Sequence, residues 1–131
     1  MKTFVDSSAP EVCLLDDDAS VLRSMQYLLA SDGIAVRAFN KPEEFLEHAA
    51  IHRVRVVVTD VWMPGITGLE ILARTCAITP RPSVIIITAR DDLAARATAM
   101  AVGPVAFFIK PFNDEQFLAA VHDALAQAKS S

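Results

Sequence analysis

The ten residues Val56-Val57-Val58-Thr59-Asp60-Val61-Trp62-Met63-Pro64-Gly65 constrain the fold more than any other stretch of the chain. A β-branched run reads as a buried strand. It stops at a carboxylate, and Pro64-Gly65 supplies a turn signal. Asp60 is therefore expected at the C-terminal edge of a central strand. Open α/β sheets bind their ligands just outside such edges.

The rest of the chain repeats one pattern around this strand. Glu11 to Leu15 holds a short apolar strand that ends in Asp16-Asp17-Asp18. A helix follows from Ala19 to about Ser31, with Val21, Leu22, Met25, Leu28 and Leu29 on one face. Asp18 or the residue before it caps that helix, and Asp32-Gly33 stops it. Ile34 to Phe39 is the second strand. Asn40-Lys41-Pro42-Glu43 reads as a capped helix start, with Asn40 as cap and the helix running to about His52. Arg53 to Asp60 is the third strand, and the loop after it extends to about Thr67. The third helix covers about Gly68 to Ile78, where Thr79-Pro80-Arg81-Pro82 breaks it. Ser83 to Thr88 is the fourth strand. An Ala-rich helix from about Asp91 to Val102 follows and ends at Gly103-Pro104. Val105 to Lys110 is the fifth strand, stopped by Pro111, and the last helix runs from about Asn113 to Ala128.

Strict strand–helix alternation implies a parallel sheet covered on both faces, with right-handed crossovers. The expected fold is α/β, a doubly wound five-stranded parallel sheet of flavodoxin-like order 2-1-3-4-5 with five helices. Residues 11–128 form one domain, 1–10 a flexible N-terminal lead, and 129–131 a frayed tail or truncated linker.

Composition removes several function classes. With 53% apolar and 21% charged residues the chain is globular rather than disordered. A net charge of −4 argues against direct nucleic-acid binding. Cys13 and Cys76 lack metal-ligand spacing and read as reduced thiols of a cytoplasmic protein. No apolar run approaches the ~18 residues of a membrane span. The N-terminal residues have no signal-peptide h-region.

Strand order 2-1-3-4-5 makes the first and third strands neighbours at the switch point. Asp16, Asp17 and Asp60 then share a cleft. Three carboxylates repel each other unless a cation sits among them, and Mg²⁺ suits such hard oxygen donors. Lys110 adds a fixed positive charge, and Thr88 a hydroxyl at the end of the fourth strand. Taken singly, these residues have plainer readings. The acids suit a helix N-terminus, Thr88 suits a cap, and Lys110 suits a surface lysine. Together they suit acceptance of a phosphoryl group on Asp60, which needs charge neutralisation and in-line positioning.

These residues resemble the response-regulator receiver domains of two-component signalling, over about Val12 to Ala126. The resemblance rests on Leu-Leu-Asp-Asp-Asp, Val-Thr-Asp-Val-Trp-Met-Pro-Gly-Ile-Thr-Gly, Ile-Ile-Thr-Ala and Phe-Phe-Ile-Lys-Pro-Phe, each at a strand end. It implies that Asp60 is the phosphoacceptor and that Asp17 binds Mg²⁺ directly, with Asp16 acting mainly through water. The Trp62 carbonyl would be a further ligand, and Mn²⁺ a substitute ion. It also implies Thr88 as switch hydroxyl, Phe107 as switch aromatic, Lys110 as the phosphate-binding lysine, and a cis bond before Pro111. Phe107 has no hydroxyl, so packing alone would hold it inward. Gly103-Pro104 and Ala106 depart from the usual pattern, and Arg90 lies near the phosphate mouth.

The implied function is a phosphorylation-activated switch rather than an enzyme acting on other substrates. Its donor would be a sensor histidine kinase. Its output surface would be the fourth helix, fifth strand and fifth helix, through which it could form a homodimer. The motifs are similar to receivers of helix-turn-helix transcription regulators, whose output domain is not in this chain. Three rivals fit less well. An aspartyl-phosphate phosphohydrolase wants an acid where Trp62 stands. A flavodoxin-like FMN carrier wants a Ser/Thr/Gly loop where Asp16-Asp17-Asp18 stands. A degenerate receiver would lack part of the acid–Thr–Lys set.

Overall fold

Short apolar strands cannot bury two faces alone, and here five of them pair in parallel between two layers of helices. A computed structural model describes residues 12–63, 65–78, 80–88, 93–103 and 106–130. Its strands are β1 (Val12–Leu15), β2 (Val36–Phe39), β3 (Val56–Asp60), β4 (Ser83–Thr88) and β5 (Ala106–Ile109). Its helices are α1 (Ala19–Ser31), α2 (Pro42–Ile51), α3 (Gly68–Cys76), α4 (Leu93–Val102) and α5 (Asp114–Ser130). The sheet order is β2-β1-β3-β4-β5, the doubly wound arrangement expected. Leu15 lies opposite Thr59, and Asp60 opposite Ile87, so the strand ends align at one edge.

Alternation along each strand sorts the core into two clusters. Val12, Leu14, Val56, Val58, Ile85 and Ile87 face Leu22, Met25 and Leu29 of α1 and Phe117 and Val121 of α5. Cys13, Leu15, Val57, Val84 and Ile86 face Phe45 of α2, Ile71 and Leu72 of α3, and Ala99 of α4. Each of β1, β3 and β4 therefore packs on both faces, which is why they read as unbroken apolar runs. Among the described residues no helix is long and apolar enough to cross a membrane.

Several local details differ from the sequence reading. Lys41, not Asn40, is the N-cap of α2, and its side chain makes no cap hydrogen bond. Pro42 occupies the first turn, where a missing N–H costs nothing, and so sets the helix start itself. The β2 and β3 ladders begin at Val36 and Val56, opposite Val12, rather than at Ile34 and Arg53. An apolar run becomes a strand only where a neighbour supplies ladder bonds. The α3 helix ends at Cys76, before Ile78, and α5 runs on to Ser130, past Ala128. The lead over 1–10, Glu11, Pro64, Thr79, Ala89, Arg90, Asp91, Asp92, Pro104, Val105 and residue 131 lie outside the described residues.

Two caps fit expectation. Asp18 accepts from the N–H groups of Ser20 and Val21 at 2.9 and 3.3 Å. Gly33, at φ 78°, closes α1. Beside it, Asp32 Oδ2 lies 2.5 Å from His122 Nε2, tying α1 to α5.

Gly68 is where α3 meets the end of β3. Its N–H bonds the Val61 carbonyl at 2.9 Å. A Cβ there would lie 2.1 Å from the Asp60 carbonyl oxygen and 2.8 Å from Val61 Cα. Both are backbone atoms that cannot swing aside. Gly68→Ala is expected to destabilise the protein by about 2–3 kcal/mol, as overpacked sites do. Gly33→Ala, with nothing within 4 Å of its Cβ, should cost only the left-handed backbone term of about 1–2 kcal/mol. Urea denaturation of both variants checks the order, and a Gly68→Ala as stable as wild type would contradict the contact.

Candidate functional site

The aligned strand ends bring four charged side chains together. Asp16 is the first residue past β1, and its N–H bonds the Phe39 carbonyl at 3.2 Å. Its Oδ1 accepts from the Asp18 N–H at 2.9 Å, turning the chain into α1. Asp60 is the last residue of β3, and its Oδ1 accepts from the Trp62 N–H at 3.1 Å. Lys110 follows β5, where its N–H reaches the Thr88 carbonyl at 2.7 Å. From there Lys110 Nζ donates to Asp16 Oδ2 at 3.0 Å and to Asp60 Oδ2 at 3.2 Å. One carboxylate oxygen each from Asp16, Asp17 and Asp60 lie within 4.8 Å of one another. Asp16 and Asp60 are 1% and 7% exposed, whereas Asp17 stands in solvent.

Burial sets the electrostatics. It pushes the Asp60 carboxyl above its usual pKa. The Asp16 charge adds to that rise, while the Trp62 N–H and Lys110 oppose it. Burial also disfavours the Lys110 ammonium, but the hydrogen bonds and charges of Asp16 and Asp60 outweigh it and raise its pKa. The lysine therefore stays charged. Three carboxylates against one ammonium leave an excess of negative charge in a cleft of hard oxygen donors. That arrangement can hold a small divalent cation.

The remaining sequence-derived residues lie on β4 and β5 and just past β3 and β5. Thr88 is buried at the end of β4, one residue past the partner of Asp60. Trp62 lies beside Asp60 with its side chain 40% exposed. Phe107 is half-buried on β5 and stands outside the charged cluster, and the Lys110–Pro111 peptide is cis. A groove of about 300 Å³ opens beside Lys110, walled in part by Val21, Met25 and Phe112. Cys13 is not a ligand candidate, since burial pushes its thiol up to about 12. Two contributors escaped the sequence reading. The Trp62 N–H fixes the Asp60 carboxyl, and Gly68 lets α3 begin against the Asp60 carbonyl. The glycine lay within a quoted motif, but only the fold shows what it must avoid.

Comparison with known proteins agrees with this geometry. The family profile described as response regulator receiver domain matches residues 12–122. The transcriptional regulatory protein FixJ of Bradyrhizobium diazoefficiens is 35% identical over 118 residues, 90% of this chain and 58% of that protein. The crystal structure of a response regulator receiver protein from Burkholderia phymatum is 40% identical, with a TM-score of 0.79 over 90% of this chain and 96% of its own. The signal receiver domain of an HD domain-containing protein from Pseudomonas fluorescens Pf-5 has a TM-score of 0.87 at 27% identity, covering 93% and 98% of the two chains. The chain spans about half the length of the curated relatives it matches.

The raised Asp60 pKa gives a signed expectation. Between 3.8 and the raised value the folded state binds more protons than the unfolded chain. Stability therefore falls as pH rises through that window, and the penalty is complete at neutral pH. Asp60→Asn keeps an acceptor for the Trp62 N–H and removes the buried charge. It is expected to stabilise the protein by about 1 kcal/mol at neutral pH. The gain should shrink as pH falls through the Asp60 pKa. Urea denaturation near neutral pH and near pH 4 measures both, and a neutral-pH loss would show that the Lys110 pairing outweighs burial.

Proposed function

The chain belongs to the response regulator receiver domain family, and we propose that Asp60 is its phosphoacceptor, charged by a sensor histidine kinase. Receiver domains are regulatory phosphoacceptor switches, and the relatives named above include a transcriptional regulatory protein. The observation that carries the reading is the Lys110 ammonium bridging the carboxylates of Asp16 and Asp60. In this reading the fixed cation stands beside the nucleophile, Asp60, at the mouth of the sheet.

The donor set also fits Mg²⁺. Asp16, Asp17 and Asp60 offer converging carboxylate oxygens, and the Trp62 carbonyl is the backbone ligand in this reading. Bound Mg²⁺ supplies positive charge that the transferring oxygens need and that Lys110 alone does not provide.

The chain's own residues do the rest. An Asp60 carboxylate oxygen attacks the phosphorus of a phosphohistidine, the P–N bond breaks, and the imidazole leaves with the electron pair. The Trp62 N–H holds the carboxyl plane for that approach. Lys110 follows the charge from Asp60 Oδ2 to the transferring oxygens. The acyl phosphate then offers an acceptor to the Thr88 hydroxyl, and Phe107 moves into the space beside it. That move changes the surface formed by α4, β5 and α5, through which two copies pair. The energetic basis is a population shift between two packings, biased by contacts made only to the phosphoryl group. We assign the output to transcription and the setting to the cytoplasm, as the relatives' printed names suggest for the first.

Trp62 is the sole tryptophan and follows Asp60 by two residues. Its emission is expected to change on addition of Mg²⁺ and again on addition of beryllofluoride, a phosphoryl mimic. Asp60→Asn should abolish the beryllofluoride step. A wild type silent to both additions would contradict the proposed site.

A further inference from the structure

Phe107 lacks the hydroxyl that would give a switch aromatic a polar partner, yet it is not without a polar contact. The Arg96 guanidinium of α4 lies over its ring, 5.4 Å from the centroid. That distance is within the range where the negative face of an aromatic ring attracts a cation. Arg96 is exposed and Phe107 half-buried, so the pair sits at the solvent side of the α4–β5 seam.

The register explains why this pair matters. Phe107 lies opposite Ile86, and Thr88 lies two residues beyond Ile86 on the same strand. Residues two apart share a face, so Thr88 and Phe107 both stand on the side covered by α3 and α4. In the switch proposed above the ring leaves its present position for the space beside Thr88, and the contact with Arg96 belongs to the position it leaves. Among the described side chains of α4 only Ala99 is buried, and alanine offers a small apolar contact. The guanidinium–ring contact ties α4 to the strand that carries Phe107.

We propose that Arg96 is a positioning residue that clamps the half-buried Phe107 ring in its unphosphorylated position. This rests on the switch reading given above. The phosphoryl group must then break the Arg96–Phe107 contact as it draws the ring inward. A clamp that exists only in the resting state opposes activation by its own strength.

The test is a beryllofluoride titration at saturating Mg²⁺, read by Trp62 emission, on wild type, Arg96→Gln and Arg96→Lys. Arg96→Gln removes the cation at similar length and is expected to tighten the apparent Kd about two- to fivefold, the range of an exposed cation–π contact. Arg96→Lys keeps the charge but loses the planar stack, and should fall between the two. In a Phe107→Leu background, Arg96→Gln should produce no further change. Unfolding midpoints without beryllofluoride separate a merely structural role, which would lower the midpoint and leave the Kd unmoved. An unmoved or weakened Kd in Arg96→Gln overturns the clamp while leaving the acceptor reading intact. A wild type with no beryllofluoride response overturns both.

Discussion

The ammonium of Lys110 lies between two nearly buried carboxylates, and the site depends on that contact. Asp16 and Asp60 come from different strands, and each would be costly to bury as a lone charge. Lys110 offsets part of that cost for both. Removing it would leave two like charges side by side and nearly buried, a loss on the order of 3 kcal/mol for a broken buried pair. The compensation is deliberately incomplete in chemical terms. One ammonium among three carboxylates holds the cluster together and still leaves an excess of negative charge.

The sheet makes this contact available. The order β2-β1-β3-β4-β5 sets β1 beside β3, so that Asp16 and Asp60 finish at one edge. Lys110 comes from the outer strand β5 and reaches across β4, its backbone fixed by the Thr88 carbonyl. The apolar faces of β1, β3 and β4 supply the rigidity, with α1 and α5 on one side and α2, α3 and α4 on the other. Among the described side chains of α4 only Ala99 is buried, and the helix meets Phe107 through the exposed Arg96.

Much of this was legible in the chain itself. Valine runs ending in acids, five strand–helix alternations and Pro or Gly punctuation specify the fold and the convergence of Asp16, Asp17, Asp60 and Lys110. These features are strong because each rests on a whole element rather than a single residue. The details that were missed depend on single contacts. Asn40 and Glu43 form a plausible capping pattern, but Pro42 decides where α2 begins. Strand lengths depend on where a neighbour is present, which no local pattern states. Gly68 looks like an ordinary helix start until α3 is seen against the Asp60 carbonyl. The Arg96–Phe107 pair joins residues eleven positions apart through the packing of a helix on a strand, and neither residue type announces it.

The central claim is that Asp60 receives the phosphoryl group because its neighbours prepare it to. Chemical trapping tests this directly. Wild-type protein is incubated with Mg²⁺ and acetyl phosphate, the acyl phosphate is reduced with borohydride, and the modified peptide is mapped by mass spectrometry. The account requires a single modification, at Asp60. Modification at Asp16, at Asp17 or elsewhere, or none in folded protein, would contradict it.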